Sequence, residues 1–178
     1  LFRPVRLLGR GGMGAVYLAE RADGEYSQQV ALKVLSPHLA GEEFTARFRT
    51  ERQLLAQMNH PNIVRLLDGG VSSTGEPYLV TEYIDGQPID EYCDHHKLSV
   101  RQRVALMMSV CEAVVHAHRN LVIHRDLKPA NVLVDTSGSV KLLDFGTAKL
   151  VSSTGDVTVS TLPLLTPRYA SPEQLRNQ

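Results

Sequence analysis

One short segment carries a carboxylate, an ammonium group and an amide in an order that suits phosphoryl transfer. The segment His124–Asn131 reads HRDLKPAN, and Asp144–Gly146 (DFG) begins thirteen positions after Asn131. Phosphoryl transfer needs a nucleophile held in line, metal ions on the phosphates and positive charge where negative charge spreads. The pattern therefore predicts transfer from metal-bound ATP. The alternative is a polar turn followed by an unrelated Asp-Phe-Gly turn.

Each polar side chain of this pattern has a chemical role that suits its type. The carboxylate of Asp126 can accept a proton from a substrate hydroxyl, and the ammonium group of Lys128 can lie beside the transferred phosphoryl group. Asn131 and Asp144 supply hard oxygen ligands, which Mg²⁺ prefers and Mn²⁺ also accepts. We therefore expect Asp126 and Lys128 to be catalytic and Asn131 and Asp144 to hold the metal.

A glycine-rich segment near the start of the chain matches a phosphate-covering flap. Residues 9–16 read GRGGMGAV and fit the pattern G-x-G-x-x-G-x-V. Dinucleotide-binding folds also use G-x-G-x-x-G but follow it with a helix, whereas Ala15–Glu20 has the composition of a strand, as does Val5–Leu8. No Gly-Lys-Ser/Thr follows, which excludes a P-loop. Two strands joined by this turn predict a flap whose phosphate-covering residues are Gly9, Arg10, Gly11, Gly12, Met13 and Gly14.

A lysine stands in the middle of an apolar strand. Lys33 lies within Val30–Leu35 (VALKVL), and a buried lysine needs a partner of opposite charge. Residues from about 42 to 58 show the apolar spacing of an amphipathic helix, on which Glu51 faces inward. We expect a Lys33–Glu51 pair that orients Lys33 toward the α- and β-phosphates of ATP. The alternative is a lysine that extends to solvent from a strand end.

The remaining pattern predicts a strand-rich part followed by a helical part. Residues 64–71 and 78–84 read as strands, and residues 85–88 form a short polar connector. Ser99 and Gln102 form a capping box at the start of a helix. One face of that helix carries apolar and polar side chains at helical spacing, namely Val104, Met107, Cys111, Val114 and His118.

In this order, the motifs resemble those of the protein kinase family. The resemblance covers nearly the whole chain and extends to residues 166–173 (TPRYASPE), which are similar to the close of a kinase activation segment. GRGGMG and YASPEQ look like the bacterial Hanks-type serine/threonine kinases. The resemblance implies an α+β, two-lobe fold. Residues 1–84 would form the small antiparallel-sheet lobe and residues 85–178 the first part of a mainly helical lobe, with ATP in the cleft between them.

The same resemblance implies further site residues. Thr81 would be the gatekeeper, and the backbones of Glu82 and Ile84 would bind adenine. The residues that would sandwich the adenine ring are Val16, Ala31 and Leu133.

The resemblance also implies a regulatory segment from Thr147 to Tyr169. Candidate phosphorylation sites are Thr158, Ser160 and Thr161, with Arg125 as the expected partner of the phosphate and Thr166 in the closing motif. The alternative is that these hydroxyls have no regulatory role and only keep a loop solvated by water. One departure concerns Leu165, where the family usually has glycine, and it affects the surface that receives the substrate residue.

These observations predict a serine/threonine protein kinase that uses ATP and Mg²⁺, since the Lys128-Pro129 pair favours Ser and Thr acceptors. Its protein substrates would include copies of itself, through autophosphorylation. The alternatives are a nucleotide-binding pseudokinase scaffold and an inactive fragment of a longer kinase. A small-molecule kinase is disfavoured by the closing motif of the activation segment.

Composition agrees with a cytoplasmic domain. The formal net charge is zero, which does not favour nucleic acid or an anionic membrane as partner. No apolar run approaches the ~20 residues of a membrane-spanning helix, so tethering to a membrane would need other segments. Cys93 and Cys111 do not have metal-site spacing. A chain of 178 residues is shorter than the catalytic domain of this family, so we expect a piece of a longer protein.

Overall fold

The computed structural model describes residues 1–11, 14–36, 48, 52–53, 55–124, 126–144, 166 and 168–175. The chain divides into two compact units. The first contains Leu1–Ala56 and Arg65–Tyr83, and the second contains Gln57–Val64 and Ile84–Gln178.

The first unit is built on an antiparallel sheet of five strands. The strand order is β1-β2-β3-β5-β4, so that the long hairpin β1–β2 forms one edge. β-Branched and aromatic residues favour these strands because their side chains pack well on a pleated surface. The strand bounds are β1 Phe2–Gly11, β2 Gly14–Arg21, β3 Gln29–Leu35, β4 Leu66–Val71 and β5 Pro77–Glu82.

One face of this sheet forms a small hydrophobic core. Ala19, Val30, Leu32 and Val80 are buried together, and Tyr17 and Tyr78 are among the side chains that pack against them. Because side chains alternate along a strand, the intervening residues of β2, β3 and β5 lie on the opposite face. Lys33 belongs to that opposite face.

The predicted helix over residues 42–58 is seen only at its described positions. Residues 48, 52, 53, 55 and 56 are helical. Phe48 and Met58 are almost fully buried, with 1% and 3% of their surface exposed. These two positions agree with the predicted apolar face, and Glu51 lies outside the described residues.

The second unit contains helices and a sheet of three strands, β6-β7-β8. Its helices are α1 (Ile89–His95), α2 (Val100–Arg119) and α3 (Pro172–Leu175), and a 3₁₀ turn spans Pro129–Asn131. The strands are β6 Gly86–Pro88, β7 Val132–Asp135 and β8 Val140–Leu142. Within the described ranges, no helix combines the length and the apolar character needed to cross a bilayer.

Helix α2 begins at the predicted capping box, and its buried residues are not the five whose helical spacing the sequence shows. Ser99 is the N-cap, and its side chain and that of Gln102 satisfy each other's backbone N–H groups. The buried residues are Val110, Ala113 and Ala117, and the helix packs against β8. Small alanine side chains allow this close approach. The face that carries Val104, Met107, Cys111, Val114 and His118 is exposed or half-buried.

The segment around Asn62 fixes β8, which leads toward Asp144. The side-chain amide of Asn62 donates to the carbonyl of Val140 (2.9 Å), and the N–H of Leu142 donates to the carbonyl of Asn62 (2.8 Å). The N–H of Val64 donates to the carbonyl of Leu142 (3.0 Å). β8 is therefore held by backbone and side-chain hydrogen bonds on the side away from β7.

Candidate active site

A buried histidine connects the segment around Asp126 to the residue just before Asp144. His124 is 3% exposed, and its Nε2 lies 2.7 Å from the carbonyl oxygen of Leu143. The backbone N–H of Asp126 donates to Nδ1 of the same ring (3.3 Å). Because Nδ1 accepts a hydrogen bond, the ring proton is assigned to Nε2, which donates to the carbonyl oxygen of Leu143. This arrangement needs the neutral imidazole.

The electrostatics of His124 agree with this neutral form. Burial lowers its pKa below the ordinary value of 6.5 because the imidazolium ion loses hydration. The hydrogen bond to Leu143 and the charges of Asp144 and Asp126 act in the opposite direction but do not reverse the shift. The ring therefore links the backbone of Asp126 to that of Leu143, the residue before Asp144.

Three side chains hold the carboxylate of Asp126. Its Oδ2 lies 2.6 Å from Nζ of Lys128 and accepts a hydrogen bond from Nδ2 of Asn131 (3.2 Å). Its Oδ1 accepts from Oγ1 of Thr166 (3.1 Å). Charge-assisted hydrogen bonds of this kind are stronger than neutral ones and restrict the rotation of the carboxylate. The structure thus brings Asp126, Lys128 and Asn131 together, as the sequence pattern predicts.

Thr166 closes this network from a distant part of the chain. Nζ of Lys128 donates to Oγ1 of Thr166 (3.0 Å), and the hydroxyl of Thr166 donates a hydrogen bond to Oδ1 of Asp126. The side chains of Lys128 and Asp126 are 27% and 18% exposed. The pair is therefore partly shielded from water and partly exposed at the surface.

The predicted metal ligands Asn131 and Asp144 are connected through the backbone. The N–H of Leu143, the residue before Asp144, donates to the carbonyl of Asn131 (2.9 Å). Asn131 is 8% exposed, and both of its side-chain hydrogen bonds to Asp126 use Nδ2, so neither uses its amide oxygen. Asp144 has a φ of 59°, in the left-handed region that non-glycine residues rarely adopt. Unusual backbone of this kind clusters at functional sites.

This donor set fits magnesium better than zinc. In the part of the chain that the structure describes, no three His, Cys, Asp or Glu side chains form a metal-binding group. Mg²⁺ bound with a nucleotide needs only one or two carboxylates, together with phosphate oxygens and water. The amide oxygen of Asn131 and the carboxylate of Asp144 are oxygen donors of that type.

In the first unit, strand register places four of the predicted nucleotide-binding residues on one face of the sheet. Val16 lies opposite Lys33 between β2 and β3, and Ala31 lies opposite Thr81 between β3 and β5. Ala31 and Lys33 are two residues apart on β3, so their side chains project from the same face. All four are half-buried. They form a continuous surface on the face opposite the small hydrophobic core.

The glycines of the flap differ in the space that is available for a side chain. Gly9 and Gly11 lie on β1, where a Cβ atom would have no other atom within 4 Å. Gly14 has a φ of +139°, and a Cβ atom there would overlap the carbonyl oxygen of Val34 and lie 2.9 Å from Cα of Leu35. Gly14 is thus required by the fold of the hairpin, whereas the fold itself places no such demand on Gly9 and Gly11.

The predicted adenine-binding residues near the end of β5 are placed as follows. The N–H of Glu82 donates to the carbonyl of Arg65 (3.1 Å), and the carboxylate of Glu82 accepts from the N–H of Arg65 (2.9 Å). In the second unit, Leu133 lies on β7 and is half-buried, and Ile84 lies just before β6. Their contacts with adenine stay predictions.

Several predicted residues lie outside the described part of the chain. These are Gly12, Met13, Glu51, Arg125, Thr158, Ser160 and Thr161.

Sequence reasoning gave His124 no role of its own and gave Thr166 only a regulatory one. His124 bonds to Leu143, which is 19 residues away, and Thr166 bonds to Asp126, which is 40 residues away. Such long-range contacts leave no periodic signal in a single sequence. The sequence signal that could have pointed to both residues is their position inside the motifs HRDLKPAN and TPRYASPE.

Comparison with known proteins identifies relatives along nearly the whole chain. A model of the protein kinase domain family matches residues 2–178. Serine/threonine-protein kinase PrkC of Bacillus subtilis is 39% identical over 177 residues, which cover 98% of this chain and 27% of the relative. Serine/threonine-protein kinase PknB of Mycobacterium leprae is 38% identical over 175 residues, which cover 96% of this chain and 28% of the relative.

A solved structure shares the same fold. The crystal structure of the Mycobacterium tuberculosis PknI kinase domain has a TM-score of 0.68 and 35% sequence identity, over 82% of this chain and 58% of that one. The chain spans about a quarter of the length of the two kinases PrkC and PknB. The predicted α+β kinase-like fold and the resemblance to bacterial serine/threonine kinases are confirmed. The chain belongs to the protein kinase family.

Proposed function

We propose that the protein containing this chain is a serine/threonine protein kinase that transfers the γ-phosphoryl group of Mg-ATP to Ser or Thr hydroxyls of proteins. The observation that carries the proposal is the carboxylate of Asp126, held by Lys128, Asn131 and Thr166 at 2.6–3.2 Å. The names of relatives with 38–39% identity support it, since they are serine/threonine-protein kinases.

In the proposed reaction, the substrate hydroxyl oxygen bonds to the γ-phosphorus while the bond to the β-γ bridging oxygen of ATP breaks. The hydroxyl proton passes to the carboxylate of Asp126, and ADP leaves. Asp126 orients the hydroxyl because its own rotation is restricted by Lys128 and Thr166. Positioning of this kind supplies much of the rate enhancement in phosphoryl transfer.

Lys128 has two functions in this proposal. Its ammonium group pairs with Asp126 at 2.6 Å, and it would stabilise the negative charge that develops on the transferred group. The hydrogen bond from Lys128 to Thr166 keeps Nζ in place when the substrate hydroxyl competes for Asp126. An ammonium group that is already oriented needs little reorganisation during the reaction.

Each unit has candidate residues for the metal or the nucleotide. Asn131 and Asp144 would provide oxygen ligands for Mg²⁺, which neutralises the phosphate charge when bound. On the sheet face of the first unit, Lys33 would contact the α- and β-phosphates, and Val16, Ala31 and Thr81 would contact the adenosine. The shared face of these four residues supports that assignment.

We also propose regulation by autophosphorylation of the segment that contains Thr158, Ser160 and Thr161, with Arg125 binding the phosphate. The support is the sequence pattern alone, since a phosphate adds charge that an arginine can pair with. Mass-spectrometric mapping of the protein after incubation with Mg-ATP tests it. Phosphate at none of the three positions would contradict the proposal.

The activity itself is tested by incubating the full-length protein with γ-labelled ATP, Mg²⁺ and a basic protein substrate, followed by phosphoamino-acid analysis. We expect label on phosphoserine or phosphothreonine, and no transfer when Mg²⁺ is removed by chelation. Label confined to phosphotyrosine, or turnover of ATP with a small-molecule acceptor only, would contradict the proposed function.

A further inference from the structure

Two histidine rings of the second unit are in contact with each other. His60 belongs to the segment Gln57–Val64, and His116 lies near the end of helix α2. Their ring centroids are 5.1 Å apart, and the ring planes are inclined by 39°. Both side chains are half-buried, and both line an open cleft of about 540 Å³. The contact therefore joins α2 to the segment that holds β8.

The hydrogen bond of His60 defines which of its nitrogens carries the proton. Its Nδ1 accepts from the backbone N–H of Asn62 (3.2 Å), so the proton of the neutral ring is assigned to Nε2. A second proton would bind at Nδ1 and convert this acceptor into a donor that faces another donor. The bond to Asn62 therefore exists only while His60 is uncharged.

His116 adds a second titratable ring to this contact. Its Nε2 is buried and has no hydrogen-bond partner among the residues that the structure describes. If both rings were protonated, two positive charges would lie in rings whose centroids are 5.1 Å apart, and they would repel each other. The contact therefore disfavours protonation of both rings.

Other groups that can affect the charge of His60 come from the elements packed around it. Its own segment, Gln57–Val64, has no other charged residue. On β8 the charged residue is Lys141, whose side chain projects from the face opposite to the buried Val140 and Leu142. The described titratable groups that line the cleft with His60 belong to α2, namely Cys111, Glu112, His116 and Arg119.

These surroundings favour the neutral form of His60. Burial lowers the pKa of His60 below its ordinary value of 6.5, because the imidazolium ion loses hydration. The charge of His116 acts in the same direction, and the charge of Glu112 opposes them but does not reverse the shift. The folded protein therefore protonates His60 only as the pH falls below 6.5 and through the lowered pKa.

Asn62 connects His60 to the candidate active site. Its side-chain amide and its carbonyl both bond to β8. Leu143, the residue that follows β8, bonds through its backbone to Asn131 and to the ring of His124. A displacement of Asn62 would therefore reach this site through consecutive hydrogen bonds of the described residues.

We propose that the His60–His116 pair is a proton-sensitive contact, through which acid releases Asn62 and slows phosphoryl transfer. At neutral pH, His60 is uncharged and holds the N–H of Asn62. In acid, His60 takes a proton from water at Nδ1, the bond to Asn62 breaks, and β8 loses this restraint. Only the effect on the rate rests on the proposed kinase function.

The protonation is tested by an NMR titration of isotope-labelled full-length protein, which needs no substitution of His60. We expect the amide signal of Asn62 to shift with the same midpoint as the His60 ring, because protonation at Nδ1 breaks their bond. In His116→Gln the midpoint of His60 should rise, because the neighbouring charge is removed. An Asn62 amide that does not follow the His60 titration would overturn the proposal, as would a midpoint that does not rise in His116→Gln.

The effect on catalysis is tested by measuring kcat at about pH 7.5 and about pH 5 with saturating Mg-ATP. His60→Asn is the informative variant, because an asparagine side chain can accept the N–H two residues further along and takes no proton. Native kcat should fall about three- to tenfold more than that of His60→Asn, the equivalent of one neutral hydrogen bond. Protonation of other groups is common to both proteins and cancels in this comparison.

His118→Gln is the matched control, since it removes an exposed histidine of the same helix. It should lose kcat in acid as the native protein does. If His118→Gln resists acid as well as His60→Asn does, or if His60→Asn loses as much kcat as the native protein, the proposal is overturned.

The NMR titration is independent of turnover, so failure of the contact can be separated from failure of the proposed function. If the native protein transfers no phosphoryl group while His60 and Asn62 titrate together, the proposed function and the effect on rate are wrong, and the proton-sensitive contact stands. If transfer occurs but His60 and Asn62 do not titrate together, the function stands and the contact is overturned.

Discussion

Replacement of Thr166 by valine removes one hydroxyl from the hydrogen-bond network around Asp126 and keeps the shape of the side chain. In the native structure that hydroxyl accepts from Nζ of Lys128 (3.0 Å) and donates to Oδ1 of Asp126 (3.1 Å). The valine methyl group can do neither. The direct pair between Lys128 and Asp126 at 2.6 Å remains, but each partner loses a second restraint.

The size of the effect follows from the charges and the burial of these groups. A hydrogen bond to a charged group contributes about 1.5–3 kcal/mol, and the two bonds share one hydroxyl, so their loss is not additive. Asp126 is 18% exposed, so water compensates only part of the loss. We expect the transition state to lose about 1.5–3 kcal/mol, which lowers kcat about 10- to 150-fold.

The assay is steady-state phosphoryl transfer by the full-length protein with ATP varied. Because Thr166 is assigned no contact with the nucleotide, Thr166→Val should lower kcat and leave the KM for ATP within about twofold. Thr166→Ser retains the hydroxyl and should stay within about threefold of the native rate. Native kcat in Thr166→Val would refute the reasoning, as would an equal loss in the serine variant.

Two further predictions concern the flap and His124. Gly14→Ala should lower the free energy of unfolding by at least about 2 kcal/mol, because the left-handed backbone and the carbonyl of Val34 exclude a Cβ atom, whereas Gly11→Ala should change it by less than about 0.5 kcal/mol. Urea denaturation checks both, and the reverse order would contradict the steric argument. Because burial lowers the pKa of His124, the unfolded chain binds a proton that the folded chain does not, so stability should fall as pH drops below 6.5 toward the folded pKa. An NMR titration of the native imidazole checks this, and a pKa of 6.5 or higher would contradict it. Burial also lowers the pKa of His60, which adds to the acid dependence in the same direction.

The strands of the first sheet could be predicted because their signals are local. The apolar run at 30–35 and the strand after the flap appear as β3 and β2, within one residue at each end. The capping box at Ser99 identified the start of α2 for the same reason. Each of these signals depends on residues that are neighbours in sequence as well as in space.

The sequence did not predict β6 or the buried face of α2, and both depend on distant partners. Residues 86–88 read as a polar connector, yet they pair with residues 133–135 of β7. A three-residue strand has almost no pattern of its own. In α2, which packs against β8, the small residues Ala113 and Ala117 are buried, and a helical spacing pattern does not single out such small side chains.

The candidate site also contains features with a local sequence signal and features that depend on distant residues. Residue type and motif order made Asp126, Lys128, Asn131 and Asp144 candidates, and the structure places the first three in contact with one another. The bonds of Thr166 to Asp126 and of His124 to Leu143 depend on how distant segments pack, and the sequence contains no local sign of them.

The most direct test of the central claim is phosphoryl transfer by Asp126→Asn, with Asp90→Asn as a control that changes an exposed carboxylate of α1. Asparagine has nearly the same shape but cannot take the hydroxyl proton. We expect a loss of about 10²–10⁴-fold in kcat, with the dissociation constant of Mg-ATP nearly unchanged and the control fully active. Native transfer in Asp126→Asn would contradict the assignment of Asp126 and, with it, the proposed mechanism.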